Sequence, residues 1–144
     1  MGASEGRAIG EALIEHPAHE LFDEAAPGEI AMVERLLRVR LPPSFRALLE
    51  VGGGAILEDG DLLLGTKDPE GFGGTLHDVA RALWEEGLPR HLLPIVDGAR
   101  FVCLDLDARD EAGECEVVEL DADSFEELRR WPDFPTFARA VLLR

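Results

Sequence analysis

The chain has 144 residues, of which 30 are acidic and 14 are basic, so its formal net charge at pH 7 is −16. This charge repels phosphate backbones and anionic lipid headgroups, which argues against a nucleic-acid-binding protein and against a membrane-surface protein. The length fits a single domain over residues 1–144, and we expect it to be cytoplasmic, because neither a secretory leader nor an apolar run of membrane-spanning length stands in it.

Two helices are predicted in the first part of the chain. Ser4 is a suitable N-cap for a helix that ends near Glu15, because its side-chain oxygen can accept a hydrogen bond from the first turn. Apolar residues at helical spacing predict a second amphipathic helix over residues 28–38.

The following segment contains the start and the end of a third helix. Pro42 and Pro43 suit a first helical turn, where a missing backbone N–H costs nothing. Gly52 stands where a left-handed residue should end this helix, and Gly53 and Gly54 let the chain turn into a strand.

A β-hairpin and the clearest helix of the chain come next. The dipeptide Asp59-Gly60 favours a tight turn between two short apolar runs, and it therefore predicts the hairpin. Thr75 and Asp78 approximate a capping box at the start of an amphipathic helix. Between hairpin and helix, residues 67–74 predict a mobile loop.

Three β-rich runs predict an antiparallel meander over residues 92–96, 101–106 and 116–120. Ser124 and Glu127 form a capping box and predict a short helix, and Pro135 predicts the start of the last one.

The order helices, strands, helices predicts an α+β domain. Its antiparallel sheet, a hairpin plus a meander, is expected to be covered on one side by helices. The other face of the sheet would then be free for binding.

Short motifs along the chain resemble the SUKH superfamily, although Gly52 replaces the Asn that is usual there. The matching pieces are Leu41-Pro42, Gly53-Gly54, Leu64-Gly65, Leu93-Pro94-Ile95 and the run from Gly98 to Leu104-Asp105. The resemblance covers roughly residues 28–143 and leaves residues 1–27 as an N-terminal helical extension. The superfamily includes bacterial immunity proteins, whose toxins are often nucleases, and fungal cell-wall-assembly regulators. The resemblance implies a protein-binding domain without enzymatic activity.

We find no set of residues that predicts catalysis, a cofactor or a metal site. His16 and His19 are three residues apart, but a proline between them breaks the helix that would align their rings. Ser44 is explained as a helix cap. Cys103 and Cys115 are expected to be buried free thiols in a reducing compartment.

The densest charge of the chain lies between residues 105 and 127, where eleven acidic residues accompany one basic residue, Arg109. The acidic residues are Asp105, Asp107, Asp110, Glu111, Glu114, Glu116, Glu119, Asp121, Asp123, Glu126 and Glu127. Such a run is either a hydrated surface that maintains solubility or a docking surface for a cationic partner, whose association opposite charge accelerates.

We therefore expect a non-enzymatic immunity protein that neutralises a basic toxin domain, with a regulatory protein-binding module of the fungal type as the alternative. The candidate contact residues are acidic residues of two predicted turns: Asp105, Asp107, Asp110, Glu111 and Glu114 at the end of the meander, and Glu58, Asp59 and Asp61 in the hairpin. The expected partner is a protein, with no nucleic acid, membrane or cofactor, and the sequence leaves the oligomeric state open. The same reasoning predicts a surface without an electropositive cleft.

Overall fold

The computed structural model describes residues 2–17, 19–68 and 74–143, and the elements named below lie within these ranges. The helices are α1 (Gly2–Glu15), α2 (Pro27–Leu37), α3 (Pro43–Val51), α4 (Leu76–Glu85) and α5 (Phe134–Phe137), which continues into a π-helical turn (Ala138–Leu142). The strands are β1 (Glu20–Leu21), β2 (Ala55–Ile56), β3 (Leu62–Leu63), β4 (Leu92–Asp97), β5 (Phe101–Arg109), β6 (Cys115–Leu120) and β7 (Glu127–Trp131).

These strands form one antiparallel sheet in the order β1 to β7, so that each strand lies beside its neighbours in sequence. The predicted hairpin joins β2 and β3, and Gly60 takes a φ of +90° in its turn, a backbone that glycine adopts without strain. The predicted meander is β4, β5 and β6. The α+β architecture with an antiparallel sheet is confirmed.

Alternating strand directions decide which turns share an end of the sheet. The β2–β3, β4–β5 and β6–β7 turns lie at one end, and the β5–β6 turn lies at the other. Two contacts agree with this arrangement: Asp61 accepts hydrogen bonds from the β4–β5 turn, and the rings of Phe101 and Phe125 lie 6.1 Å apart. We call the first end the three-turn end.

The main hydrophobic core lies between the helices and one face of the sheet. Val102, Leu104 and Val117 belong to this face and are fully buried. Phe45 of α3 and Phe134 of α5 pack edge to face above them, with ring centroids 5.2 Å apart. The C-terminal helix predicted from Pro135 therefore closes the core.

A glycine of α1 allows this helix to pack closely against α3. A Cβ atom added to Gly6 would lie 1.8 Å from the backbone oxygen of Ser44, which no side chain tolerates. Gly10 makes a similar approach one turn later, where an added Cβ would lie 2.8 Å from Val51. The close packing of α1 on α3 therefore depends on glycine at both positions.

The second face of the sheet, predicted to be free for binding, is partly covered. Phe101, Cys103 and Val118 point to this side, because they alternate along β5 and β6 with residues of the main core. Leu88, which follows α4, and Phe125 of the β6–β7 turn pack against them. The centre of this face is therefore closed by the chain itself.

The helix predicted from the capping box of Ser124 and Glu127 is wrong. Ser124 lies in a turn, and residues from Glu127 onward form β7, which pairs with β6. Phe125 has a φ of +61°, which ends any helical path at this point. The backbone hydrogen bonds that β6 offers over five residues outweigh a local capping signal.

Two expectations about helix ends are also wrong. Ser4 lies inside α1, which begins at Gly2. Gly52 has an extended backbone, with a φ of −149°, and the positive φ of +127° falls on Gly54. An added Cβ at Gly52 would lie 2.6 Å from a terminal methyl of Leu21, so a larger residue there would require Leu21 to move.

Other local predictions are confirmed. The side chain of Thr75 accepts a hydrogen bond from the backbone N–H of Asp78 at 3.2 Å and caps α4.

Part of the loop predicted over residues 67–74, namely 69–73, lies outside the described residues. Of the helices that the structure describes, none combines the length and the hydropathy needed to cross a bilayer.

Candidate functional site

The structure divides the eight predicted contact residues into buried and exposed groups. Asp61, Asp105 and Glu114 are buried, with 4%, 7% and 6% of their surface exposed. The exposed residues are Glu58, Asp59, Asp107, Asp110 and Glu111. A buried carboxylate needs polar partners within the fold, and each of the three has them.

Asp61 holds two turns of the three-turn end together. Its two carboxylate oxygens accept hydrogen bonds from the backbone N–H groups of Ala99 and Arg100, at 2.8 and 3.1 Å. Its own N–H donates to the side chain of Asp59 at 3.0 Å. Burial raises the pKa of Asp97, and the nearby charge of Asp61 raises it further. Asp61 is therefore a structural residue of this end.

Glu114 caps α3 from a distance of 70 residues in sequence. Its carboxylate accepts a hydrogen bond from the backbone N–H of Ser44 at 2.9 Å and another from the Ser44 hydroxyl at 2.5 Å. Ser44 is thus a donor to the cap and not the cap itself, because Pro42 occupies the N-cap position without a side-chain hydrogen bond. A carboxylate suits this position, since the first N–H groups of a helix lack partners and carry partial positive charge.

Arg130 neutralises part of the acidic run. Its guanidinium contacts Asp105 at 3.1 Å, Glu116 at 2.9 Å and Glu127 at 2.7 Å. The hydrogen bond with Arg130 lowers the pKa of Glu127, and the same bonds raise the pKa of Arg130. Arg129 pairs with Glu119 in the same way, at 3.1 Å. The run from 105 to 127 is therefore not one continuous acidic surface.

The two predicted clusters of carboxylates do not come together. Glu58 and Asp59 lie at the three-turn end, whereas Asp107, Asp110 and Glu111 lie at the β5–β6 turn on the opposite end of the sheet. The side chain of Asp110 shapes that turn, because it accepts hydrogen bonds from the N–H groups of residues 112 and 114. A partner that touches one cluster is therefore separated from the other by the length of the sheet.

Further carboxylates accompany Glu58 and Asp59 at the three-turn end. We define the acidic end as the carboxylates in or directly beside its three turns, other than the buried Asp61, that take part in none of the ion pairs found among the described residues. They are Glu58, Asp59, Asp97, Asp121, Asp123 and Glu126. Sequence reasoning missed this grouping, because it depends on the directions of six strands.

A cavity of about 330 Å³ opens beside the acidic end. Apolar side chains form its floor, and Glu58, Asp59 and Arg100 also line it. His19 bridges its wall: Nδ1 accepts the backbone N–H of Glu58 at 3.0 Å, and Nε2 donates to the carbonyl of Leu142 at 2.8 Å. This histidine therefore holds the hairpin turn against the C-terminal π-helical turn.

An electropositive cleft lies near the β5–β6 turn, where the sequence predicts none. We define the basic cleft by its cationic or titratable side chains, Arg38, Arg40, Arg90, His91 and Arg109, which line an opening of about 580 Å³ together with Trp84. Asp107 is the acidic residue among the described lining residues. The expectation of a surface without such a cleft is wrong.

Backbone oxygens and an aromatic ring position these arginines. Arg109 donates to the carbonyls of Leu106 and Gly113, at 3.0 and 3.2 Å, and to that of Arg40. The guanidinium of Arg90 lies 4.6 Å from the centre of the Trp84 ring. Trp84 is in turn fixed by a hydrogen bond from its indole N–H to the carbonyl of residue 92, at 2.9 Å.

The sequence contains one signal for this cleft, the run of arginines at 35, 38 and 40. This signal is easy to overlook because the net charge of the chain is −16. Among the described residues no three His, Cys, Asp or Glu side chains converge in the manner of a metal site.

Comparison with known proteins supports the fold described above. A family model described as "SMI1-KNR4 cell-wall", within the SUKH group, matches residues 8–143. No curated protein matches the chain. Among solved structures, a protein from Pseudomonas syringae pv. tomato is similar in fold, with 23% sequence identity and a TM-score of 0.65 over 94% of this chain and 97% of that one.

Proposed function

Since this chain belongs to the SMI1-KNR4 family of the SUKH superfamily, we propose that it is a non-enzymatic immunity protein that binds a basic toxin domain and covers its active surface. Its docking surface would be the acidic end. The family suggests that the protein is of the immunity class. The carboxylates of the three turns, which form no ion pair among the described residues, suggest that its partner is basic.

The observation that carries the proposal is that the carboxylates of the acidic end form no ion pair among the described residues, although Arg100 lies beside them in the cavity. The arginines of β7 neutralise carboxylates on the strands, but none of the ion pairs in the described part of the chain reaches the carboxylates of the acidic end. Uncompensated charge on exposed turns accelerates encounter with a basic protein, from about 10⁵–10⁶ to about 10⁸–10⁹ M⁻¹s⁻¹ at low salt. A stoichiometric inhibitor of a toxic enzyme benefits from fast capture.

The cavity beside the acidic end supports the same surface. Leu57, Phe137 and Val141 offer an apolar floor, while Glu58 and Asp59 stand at its edge. A lysine or arginine side chain combines an apolar stem with a cationic head, so it matches both parts of this cavity. Arginine is also among the residues that contribute most to protein–protein binding.

The test first searches the reading frames next to this gene for a basic toxin domain, whose absence would contradict the immunity function, and then uses that domain in a catalytically inactive form. Association is measured by stopped-flow fluorescence over a series of salt concentrations. The variant Glu58→Lys/Asp59→Lys reverses two charges at the acidic end. Its matched control is Asp107→Lys/Glu111→Lys, which makes the same charge change at the opposite end with exposed residues.

We expect the acidic-end variant to associate about tenfold more slowly at low salt, and the control to change by less than about twofold. Co-expression with the active toxin should restore growth for wild type. Equal slowing by the two variants, or association that does not depend on salt, would contradict the proposed surface. Failure to restore growth would contradict the immunity function.

The basic cleft favours a second candidate function, a regulatory module of the fungal type. An inhibitor of one basic enzyme needs one acidic surface, whereas a module that connects partners can use two surfaces of opposite charge. This candidate predicts that the chain forms a ternary complex with two different proteins and does not restore growth in the toxin assay.

A further inference from the structure

The basic cleft gathers arginines that form no ion pair among the described residues, and a partly apolar groove lies beside it. This second groove shares Leu37, Trp84 and Arg90 with the cleft and adds Leu36, Arg81 and one acidic residue, Glu85. The described ion pairs use other cations of the chain, so Arg38, Arg40, Arg81, Arg90 and Arg109 have no carboxylate partner in them. In a chain with so many acidic residues, unpaired arginines gathered at one place require an explanation.

Two apolar side chains of α2 extend this surface. Met32 and Leu36 are each 43% exposed and lie one helical turn apart. Leu36 lines the second groove, next to Arg81 and Trp84. Large exposed apolar side chains beside arginine and tryptophan are typical of protein-binding surfaces.

From these observations we propose that the basic cleft and the adjoining groove bind an acidic segment of a partner protein, one that alternates carboxylate and apolar residues. Guanidinium groups bind carboxylates through two parallel hydrogen bonds, which gives this recognition both strength and direction. The apolar residues of the segment would pack on Leu36 and Met32.

The neighbouring charges distinguish this occupant from other anions. A nucleic acid would bring several phosphates close to Asp107 of the cleft and Glu85 of the groove, against a chain of net charge −16. A small inorganic anion has no apolar part to cover Met32 and Leu36. A short acidic and apolar segment carries fewer charges toward Asp107 and Glu85, can pair with the arginines and can cover the exposed side chains.

The probe is an unstructured synthetic peptide of alternating glutamate and leucine, with a glutamine–leucine peptide and a glutamate–glycine peptide as controls. Binding to the full chain is measured by calorimetry, and the NMR signal of the Trp84 indole N–H reports occupancy of the site. The test variant is Arg38→Gln/Arg90→Gln. The matched control, Arg7→Gln/Arg139→Gln, removes the same charge from two exposed ion pairs elsewhere.

We expect the glutamate–leucine peptide to bind wild type and the control variant equally, to shift the Trp84 signal, and to bind the test variant at least about tenfold more weakly. Equal binding by the two variants, or no binding, would overturn the proposal. Comparable binding of the glutamate–glycine peptide or tighter binding of single-stranded DNA would show a different ligand class. Self-association that the test variant loses in sedimentation experiments would show that a second copy occupies the cleft.

This surface lies at the other end of the sheet from the acidic end. The test variant therefore leaves the proposed toxin-binding carboxylates intact, and its result is independent of the toxin assay.

Discussion

Replacing Glu114 by alanine removes two hydrogen bonds that hold α3 to the β5–β6 turn. Both donors belong to Ser44, at 2.9 Å from the backbone N–H and 2.5 Å from the hydroxyl, and both atoms are buried. A hydrogen bond to a charged group contributes about 1.5–3 kcal/mol, and the alanine variant also leaves the Ser44 donors without a partner. We expect Glu114→Ala to lower the free energy of unfolding by about 3 kcal/mol or more.

Glu114→Gln separates the hydrogen bonds from the charge. The amide oxygen can still accept the N–H of Ser44, and the Ser44 hydroxyl can rotate to accept from the amide nitrogen. What is lost is the negative charge at the N-terminus of α3, for which we expect a cost of about 1 kcal/mol. The free energy of unfolding should therefore be much lower for Glu114→Ala than for Glu114→Gln, and slightly lower for Glu114→Gln than for wild type.

Urea unfolding followed by circular dichroism measures both effects. The control is Glu111→Ala, which removes an exposed carboxylate from the same turn and should change the free energy of unfolding by less than about 0.5 kcal/mol. The reasoning is refuted if Glu114→Ala falls within that same limit, or if the Glu111 variant is equally unstable. Binding of the toxin domain, measured well below the melting temperature, should be unchanged in all three variants.

Three further predictions follow from close contacts and pKa shifts. Gly6→Ala places a methyl group 1.8 Å from a backbone oxygen of α3 and should destabilise by about 3 kcal/mol in urea unfolding, whereas Gly28→Ala, with no atom within 4 Å, should not destabilise. Burial, and then the charge of Asp61, raises the pKa of Asp97, so the folded state keeps that proton longer than the unfolded chain as pH rises from 3. Stability from this group is therefore lost with rising pH, and Asp97→Asn should be more stable than wild type at pH 7 and equal to it at pH 3; equal stability at both would contradict the shift. Burial raises the pKa of Cys115 to about 11, so at pH 8 this thiol should react slowly with a thiol reagent in the native protein and rapidly in urea, and fast native reaction would exclude the buried position.

Sequence reasoning succeeded where the deciding contacts are local. Pro43 starts α3, Thr75 caps α4, and the Asp59-Gly60 dipeptide turns the hairpin, each through atoms a few residues apart. Runs of residues with high β propensity identified the strands of the meander for the same reason, since this propensity belongs to the residues themselves. The motifs that resemble the SUKH superfamily are of this local kind as well.

The failures arose where a distant partner competes with a local signal. Ser124 and Glu127 have the residues of a capping box, but Ser124 lies in the β6–β7 turn and Glu127 begins a strand that pairs with β6. Gly52 resembles a left-handed helix end, but its backbone is extended and the positive φ falls on Gly54, where the chain enters the sheet.

The candidate site shows the same division. The sequence by itself determined the composition of the acidic and basic residues and the family to which the chain belongs. Only the tertiary structure decided that Glu114 and Asp61 are buried and accept hydrogen bonds from residues 70 and 38 positions away in sequence. It also decided that Arg38 and Arg90 line the same cleft. The physical reason is that the free energy of a charge depends on its solvation and on its neighbours in space, and neither is encoded in the spacing of residues along the chain.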